Sequence, residues 1–260
     1  MSEIIESKTS GEIKFLRDAA KIAGDVLARV RQRARAGVTT KELDTLARKL
    51  ILKSSAEPAF LGYRGYPATL CVSINEELVH GIPSDKRVLE DGDIVSLDLG
   101  VKYRGFYGDL AETIAVGKVP PETRKLMKVT HESLMKGIKQ CFPGKRIGDV
   151  SHEIETYVES MTAEPPFRVV RDYVGHGIGR QLHEKPEVPN FGRAGTGPAI
   201  SSGMVFNLEP MVTIEDHRVV TLDDGWTVIT ENGRLCAHYE HTVLVTDNGP
   251  EILTSIQAPA

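Results

Sequence analysis

The strongest constraint on the fold is a short pattern that occurs twice in the chain. Residues 92–98 read GDIVSLD and residues 203–209 read GMVFNLE. Both segments run from a glycine through apolar and polar residues to a leucine and an acid, with identical spacing. A His-Gly-Ile triplet precedes each segment, at His80 and at His176. Repetition of several features in one order indicates an internal duplication.

The flanking segments are predicted to be helices. Thr9 and Glu12 have the spacing of a capping box, and Thr39 and Glu42 repeat it. Apolar residues then recur three and four positions apart, as on one face of a helix. The predicted helices are 9–30, 39–51, 120–141 and 146–161.

Strand patterns follow each helix pair. Alternation of β-branched and polar residues marks 93–117, with a turn near Arg104, and also 203–214, 225–246 and 250–254. The order is helix pair, strands, helix pair, strands. We therefore expect an α+β fold with a single domain over 1–260, built from halves at roughly 10–118 and 119–254.

Four acids occupy matched positions in the two predicted sheets. They are Asp98, Asp109, Glu209 and Glu240, the second and fourth lying on the strand after each repeated segment. A carboxylate in apolar surroundings is costly unless it is paired, protonated or bound to a cation. Each acid alone could be an ordinary edge residue. Their matched positions favour a cation, as does the placement of the nearest basic residues, Lys102 and Arg104, in the predicted turn between the strands.

Charge balance predicts what that cation site holds. Four carboxylates match two divalent ions, and His176 can add a neutral nitrogen ligand. Mostly oxygen ligation with one nitrogen favours Mn, Fe or Co, with Zn also acceptable. Paired metals activate water at neutral pH, which predicts a hydrolase. His80 and His183 lie in loop sequence, where a histidine is often only a hydrogen-bonded polar residue.

Composition excludes several other classes of protein. A net charge of −4 and a pI near 6.1 argue against a DNA-binding surface. No apolar run approaches the ~18 residues of a membrane span, and the mixed charges near the N-terminus are not those of a signal peptide. Three widely spaced cysteines suit reduced thiols and no disulfide framework. We expect a cytoplasmic protein.

These segments carry a family resemblance. INEELVHGIPS, DIVSLDLG, GFYGDLAET, YVGHGIGRQLHEKP, GMVFNLEPM, DGWTVITENG and HYEHTVLV resemble, in this order, the signatures of the type I methionine aminopeptidases. The resemblance implies the pita-bread fold, in which two pseudo-symmetric halves enclose a dimetal site. It also implies removal of the initiator methionine from nascent proteins and peptides, with preference for a small second residue, by a monomer that can associate with the ribosome.

The resemblance also assigns roles by position. It implies that two ions are bound, and that they activate a bridging hydroxide, through Asp98, Asp109, His176, Glu209 and Glu240. Glu209 would shuttle the proton, while His183 would contact the developing oxyanion and His80 the scissile nitrogen. The implied methionine pocket consists of Tyr63, Tyr66, Cys71, Leu182 and Trp226, together with His80 and His183.

Some positions depart from the common family pattern. Arg64 stands where a histidine is frequent, Leu182 where an aromatic residue is frequent, and His238 where a glutamine is usual. These departures bear on substrate preference and remove no implied ligand. Two alternatives stay open. One is an Xaa-Pro aminopeptidase or prolidase, which shares the half-domain architecture, and the other is a pita-bread binding module without catalysis.

Overall fold

The computed structural model describes residues 5–256, and its first two helices begin where the capping boxes predict. The helices are α1 (Ser10–Arg33), α2 (Thr40–Lys53), α3 (Pro121–Ile138) and α4 (Ile147–Ser160). The side chains of Thr9 and Thr39 accept hydrogen bonds from the backbone N–H groups of Glu12 and Glu42, whose carboxylates accept in return. No helix in the described range is long and apolar enough to cross a membrane.

Short strands make up most of the remaining regular structure. They are β1 (Glu57–Pro58), β2 (Cys71–Ile74), β3 (Glu77–Val79), β4 (Ile94–Tyr103), β5 (Phe106–Ala115), β6 (Phe167–Val169), β7 (Gly175–Gly177), β8 (Glu184–Val188), β9 (Val205–Leu208), β10 (Met211–Ile214), β11 (Val219–Thr221), β12 (Val228–Thr230), β13 (Cys236–His238), β14 (Glu240–Thr246) and β15 (Gly249–Ile252). A 3-10 turn covers Tyr63–Gly65.

One antiparallel sheet runs through both halves of the chain. Its order is β1-β4-β5-β14-β9-β7-β8, with β2 paired to β4 and β15 paired to β14. The two halves meet where β5 pairs with β14. Two smaller sheets, β13-β10-β6 and β11-β12-β3, complete the strand pairing in the described residues. The α+β class predicted from the sequence is confirmed.

The hairpin of β4 and β5 carries two of the four acids and is closed by a two-residue turn. All ten residues of β4 pair with β5. Arg104 and Gly105 have φ values of 50° and 84°. Positive φ at both central residues matches a type I′ turn, whose twist suits long antiparallel strands. The turn predicted near Arg104 is confirmed.

The segment 203–214 is two strands and not the single predicted one. β9 belongs to the large sheet and β10 to a small one, with Glu209 and Pro210 between them. Pro210 has no N–H to donate to a ladder, so the first strand cannot continue through it. The break places Glu209 just beyond the end of β9, where the regular backbone pairing of that strand has stopped.

Two apolar cores lie beneath the two helix pairs. One contains Leu27 and Leu43 from α1 and α2 with Leu97 and Leu110 from the hairpin. The other is built from the second half, by buried residues that include Leu134, Ile154, Phe206 and Val243. Side chains alternate between the faces of a strand, so Leu97 and Leu99 face the helices and the acid between them faces away. The acids therefore share the sheet face opposite the helices.

Candidate metal centre

Strand register places the acids in a row across the sheet. Ala111 of β5 is the register partner of both Asp98 on β4 and Glu240 on β14. Asp109 lies two residues before Ala111 and so points to the same face. Leu208 pairs with the residue after Glu240, and the next step of that register brings Glu209 opposite Glu240. The methyl group of Ala111 leaves room among the carboxylates.

His176 joins this cluster from β7. Its Nδ1 donates to the carbonyl oxygen of Gly177 at 2.9 Å, which leaves Nε2 as the acceptor nitrogen. Nε2 lies 3.6 Å from Oε1 of Glu209. Asp109, His176 and Glu240 each offer a ligand atom within 4.8 Å of the others, an arrangement that can hold a metal ion. Burial lowers the pKa of His176 to about 3, so the ring is neutral, as a metal ligand must be.

Burial makes the carboxylates costly without a cation. Desolvation raises the pKa of Asp109 to about 7. The pKa values of Asp98, Glu209 and Glu240 rise well above their ordinary range, from burial first and then from the neighbouring carboxylates. Oδ1 of Asp98 and Oδ1 of Asp109 are buried without a hydrogen-bond partner in the part of the chain that the structure describes.

Cationic side chains do not offset this cost. Within residues 5–256, the groups that pair with Glu209 are imidazoles, His176 at 3.6 Å and His238 at 3.9 Å. The hydrogen bond to Glu240 comes from the neutral amide of Asn207, at 2.8 Å. Converging carboxylate oxygens, one neutral imidazole and unpartnered buried oxygens fit a divalent cation better than any structural ion pair.

His80 and His183 lie at the edge of the acid cluster. The Tyr63 hydroxyl is 2.7 Å from Nδ1 of His183, whose ring centroid is 4.2 Å from that of His176. The ring of His80 meets Tyr173 edge-on at 5.7 Å, and its backbone has a left-handed φ of 60°. Burial lowers the pKa of His80 to about 4 and also lowers that of His183, helped there by the charge of Arg64. Both rings are therefore neutral near pH 7.

An apolar wall completes a cavity of about 260 Å³. Tyr66 and Trp226 meet edge-on at 5.1 Å, and the Tyr66 hydroxyl donates to the carbonyl oxygen of Gly81. Burial raises the pKa of the Cys71 thiol, so it stays protonated. Leu182 is 2 % exposed. The cavity thus pairs an acid cluster with an aromatic, thiol and aliphatic surface.

All of the predicted site residues line this one cavity. They are Tyr63, Tyr66, Cys71, His80, Asp98, Asp109, His176, Leu182, His183, Glu209, Trp226 and Glu240. Sequence reasoning missed Phe60, Tyr173 and Val174 as further lining residues and treated Arg64 only as a departure. Val174 lies two residues before His176, so strand periodicity could have indicated it.

Two other histidines, His241 and His131, lie outside this cavity. His241 places Nδ1 3.0 Å from the hydroxyl of Thr254, on the far side of its strand from Glu240. The ring of His131 meets the ring of Tyr239 edge-on. His238 is different, because it is buried beside Glu209, whereas the sequence connected it only with substrate preference.

The fold and the site together define a class of hydrolase. Residues 14–247 match the family described as Metallopeptidase family M24, and the chain belongs to that family. The use of a divalent metal follows from this membership and from the buried ligand group. The predicted hydrolase class is confirmed.

Individual relatives sharpen the comparison. The chain is 51 % identical over 247 residues to a methionine aminopeptidase of Clostridium acetobutylicum, covering 95 % of this chain and 97 % of that protein. The crystal structure of methionine aminopeptidase from Thermotoga maritima superposes with a TM-score of 0.94 at 48 % identity, covering 97 % of this chain and 100 % of that one. The resemblance drawn from the sequence motifs is confirmed.

The alternative class, the Xaa-Pro aminopeptidases and prolidases, shares the fold at lower sequence identity. A prolidase from Pyrococcus furiosus superposes with a TM-score of 0.77 at 24 % identity, covering 96 % of this chain and 66 % of that one. That likeness shows a common architecture, as expected for the pita-bread fold, and carries no argument about substrate.

Proposed function

We propose that this protein removes the N-terminal methionine from polypeptides by metal-dependent hydrolysis. The observation that carries the proposal is the cavity itself, in which the acid cluster and an apolar wall line the same space. The names of the similar proteins from Clostridium acetobutylicum and Thermotoga maritima support the same activity.

The proposed ligands are Asp98, Asp109, His176, Glu209 and Glu240. Four carboxylates balance two divalent ions, and the candidate metal-holding group among the described residues, Asp109, His176 and Glu240, contains no cysteine. This donor set accepts Co, Mn, Fe or Zn. Divalent ions held here would supply Lewis-acid polarisation of a carbonyl and a lowered pKa for water.

The chain's own groups would handle protons and position the substrate. Burial raises the pKa of Glu209, which suits a carboxylate that takes a proton from water and passes it to the leaving amine. If the Tyr63 hydroxyl donates to Nδ1 of His183, the Nε2–H of that ring is available to the developing oxyanion. His80, also neutral, is assigned to the scissile nitrogen.

The apolar wall would select the first residue of the substrate. Tyr66, Cys71, Leu182 and Trp226 offer a surface without charge, against which a flexible thioether packs well. One methylene of difference in such a pocket is worth ~1–3 kcal/mol, so leucine and norleucine would be rejected moderately. A small second residue is preferred on steric grounds.

The test uses metal-stripped protein and two peptides. Met-Ala-Ser and Met-Leu-Ser are incubated with Co, Mn, Fe or Zn in turn, and free methionine is measured. We expect metal-dependent release from the first peptide and little from the second. No release with any cation, in protein shown to bind it, would refute the proposal, and Xaa-Pro peptides would then test the alternative substrate class.

Assembly and location are part of the same proposal. We propose one domain with halves at roughly 10–118 and 119–254, acting as a monomer in the cytoplasm on nascent chains, with ribosome association as a corollary. The buried, unpaired thiols of Cys71, Cys141 and Cys236 suit a reducing compartment. Gel filtration and co-sedimentation with ribosomes test the two parts separately.

A further inference from the structure

His238 is a buried histidine whose ring has no hydrogen-bond partner in the described structure. The residue is 2 % exposed, and neither Nδ1 nor Nε2 is bonded within residues 5–256. Its backbone, in contrast, is fixed on both sides, because the Thr113 hydroxyl accepts from His238 N–H and donates to His238 C=O, each at 2.8 Å. Buried polar atoms without partners are rare, and each one asks for an explanation.

The ring is directed at the one proposed ligand that lies outside the regular strands. Nε2 of His238 is 3.9 Å from Oε2 of Glu209, while Nε2 of His176 is 3.6 Å from Oε1 of the same carboxylate. Glu209 therefore lies between two imidazoles, one facing each oxygen. The side-chain amide of Asn190 donates a hydrogen bond to the backbone carbonyl oxygen of Glu209, and so it does not hold the Glu209 carboxylate. Strand pairing does not orient the Glu209 side chain.

A structural ion pair does not explain this arrangement. At 3.9 Å the His238 ring makes no hydrogen bond to Glu209, so the two do not form a bonded ion pair, and an imidazole carries at least one N–H donor. A donor at this place can still bond one oxygen of Glu209. Groups that bond a metal ligand from behind orient it, and their loss weakens metal binding by about 10–100-fold.

We propose that His238 is a positioning residue for Glu209: when a cation is bound, its Nε2–H closes the 3.9 Å separation and holds Oε2, so that Oε1 is presented beside His176 to that cation. The inference rests on the proposed metal site. Glutamine, which is usual at this position in the family, could fill the same role, because its terminal amide reaches about as far as Nε2 of histidine.

The test compares two amides of different reach. In His238→Gln the amide N–H can replace Nε2–H, whereas in His238→Asn the amide is one methylene short. Each metal-stripped variant is titrated with Co²⁺, and binding is followed by visible absorption and calorimetry. We expect His238→Gln to bind within a few-fold of the original protein, and His238→Asn to lose at least tenfold in affinity for the ion at Glu209 and His176.

His238→Leu separates this role from a packing role. It removes the donor with little change in volume, so the metal-free protein should keep its thermal midpoint or gain stability while Co²⁺ affinity falls. Original affinity in both His238→Asn and His238→Leu would overturn the proposal, as would equal loss in His238→Gln and His238→Asn. Methionine release by the original protein is measured in parallel. Cobalt binding without release would refute the proposed substrate and leave the His238 comparison valid.

Discussion

Asp109→Asn is expected to abolish cation binding and yet stabilise the metal-free protein at high pH. The substitution keeps the size of the side chain and removes one of the four clustered charges. Asp109 is 4 % exposed, and its Oδ1 has no hydrogen-bond partner among residues 5–256. The carboxylate is thus retained at a cost to the metal-free fold, which the backbone N–H of Leu110 offsets in part and a bound cation would offset further.

The magnitude follows from the pKa of Asp109, which burial raises from 3.8 to about 7. A carboxyl whose pKa is raised on folding stabilises the fold fully below its unfolded pKa, and this stability is lost as the pH rises through the folded value. The whole loss corresponds to roughly 4 kcal/mol, of which roughly 2 to 3 kcal/mol falls between about pH 5 and about pH 8. The Asp109 charge also raises the pKa values of Asp98 and Glu240, so its removal relieves them too.

Urea unfolding of chelator-treated protein at about pH 5 and about pH 8 measures this difference. The original protein should lose about 2 kcal/mol or more over that interval relative to Asp109→Asn. Asp223→Asn serves as the control, because it makes the same chemical change at an exposed position. Added Co²⁺ should stabilise the original protein and the control, and not Asp109→Asn. Parallel pH dependences for the original protein and Asp109→Asn would refute the electrostatic reasoning.

Three further perturbations test other parts of the site. His183→Ala should lower kcat by about 10²–10³ with little loss of bound metal, measured by elemental analysis; equal loss of both would make His183 a ligand. Arg64 is exposed at the cavity edge, so Arg64→Gln should lower kcat/KM several-fold for Met-Ala-Asp relative to Met-Ala-Lys, an effect that added salt should shrink. A Cβ on Gly177 would lie 2.1 Å from the Lys185 carbonyl oxygen, so Gly177→Ala should destabilise by ~1–3 kcal/mol in urea. Gly11→Ala is the matched control, since nothing lies within 4 Å of its Cβ, and it should be neutral or stabilising.

Local signals predicted the helices and the hairpin well. The capping boxes at Thr9 and Thr39 act within three residues, so they can be recognised without any knowledge of tertiary contacts. The turn at Arg104 is equally local. The end of β9 was missed because apolar periodicity continues through Glu209 and Pro210, although the proline itself was sufficient reason to expect a break.

His238 shows where periodicity stops being a guide. It lies two residues before Glu240, a spacing that in a continuous strand would put both side chains on one face. The chain changes sheets between them, since His238 ends β13 and Glu240 begins β14. The side chains of His238 and Glu240 still reach the same acid cluster. His238 does so through its contact with Glu209, which is 29 positions away in sequence and therefore not encoded by any local pattern.

The convergence of the acids is a different case, because the duplication implies it. When two equivalent halves are related by a two-fold axis, an element on the axis contacts its own equivalent. The residues that follow the equivalent acids Asp109 and Glu240 are Leu110 and His241, and these two are register partners. The axis therefore passes between β5 and β14, and the acids on either side must face each other across it.

The symmetry does not predict how the two halves differ. Of the two His-Gly-Ile histidines, His176 belongs to the group that can hold a metal, and His80 lies at the edge of that group. A candidate metal site made from two copies of one pattern can thus be predicted from sequence, while the residues that make its two sides unequal need the structure.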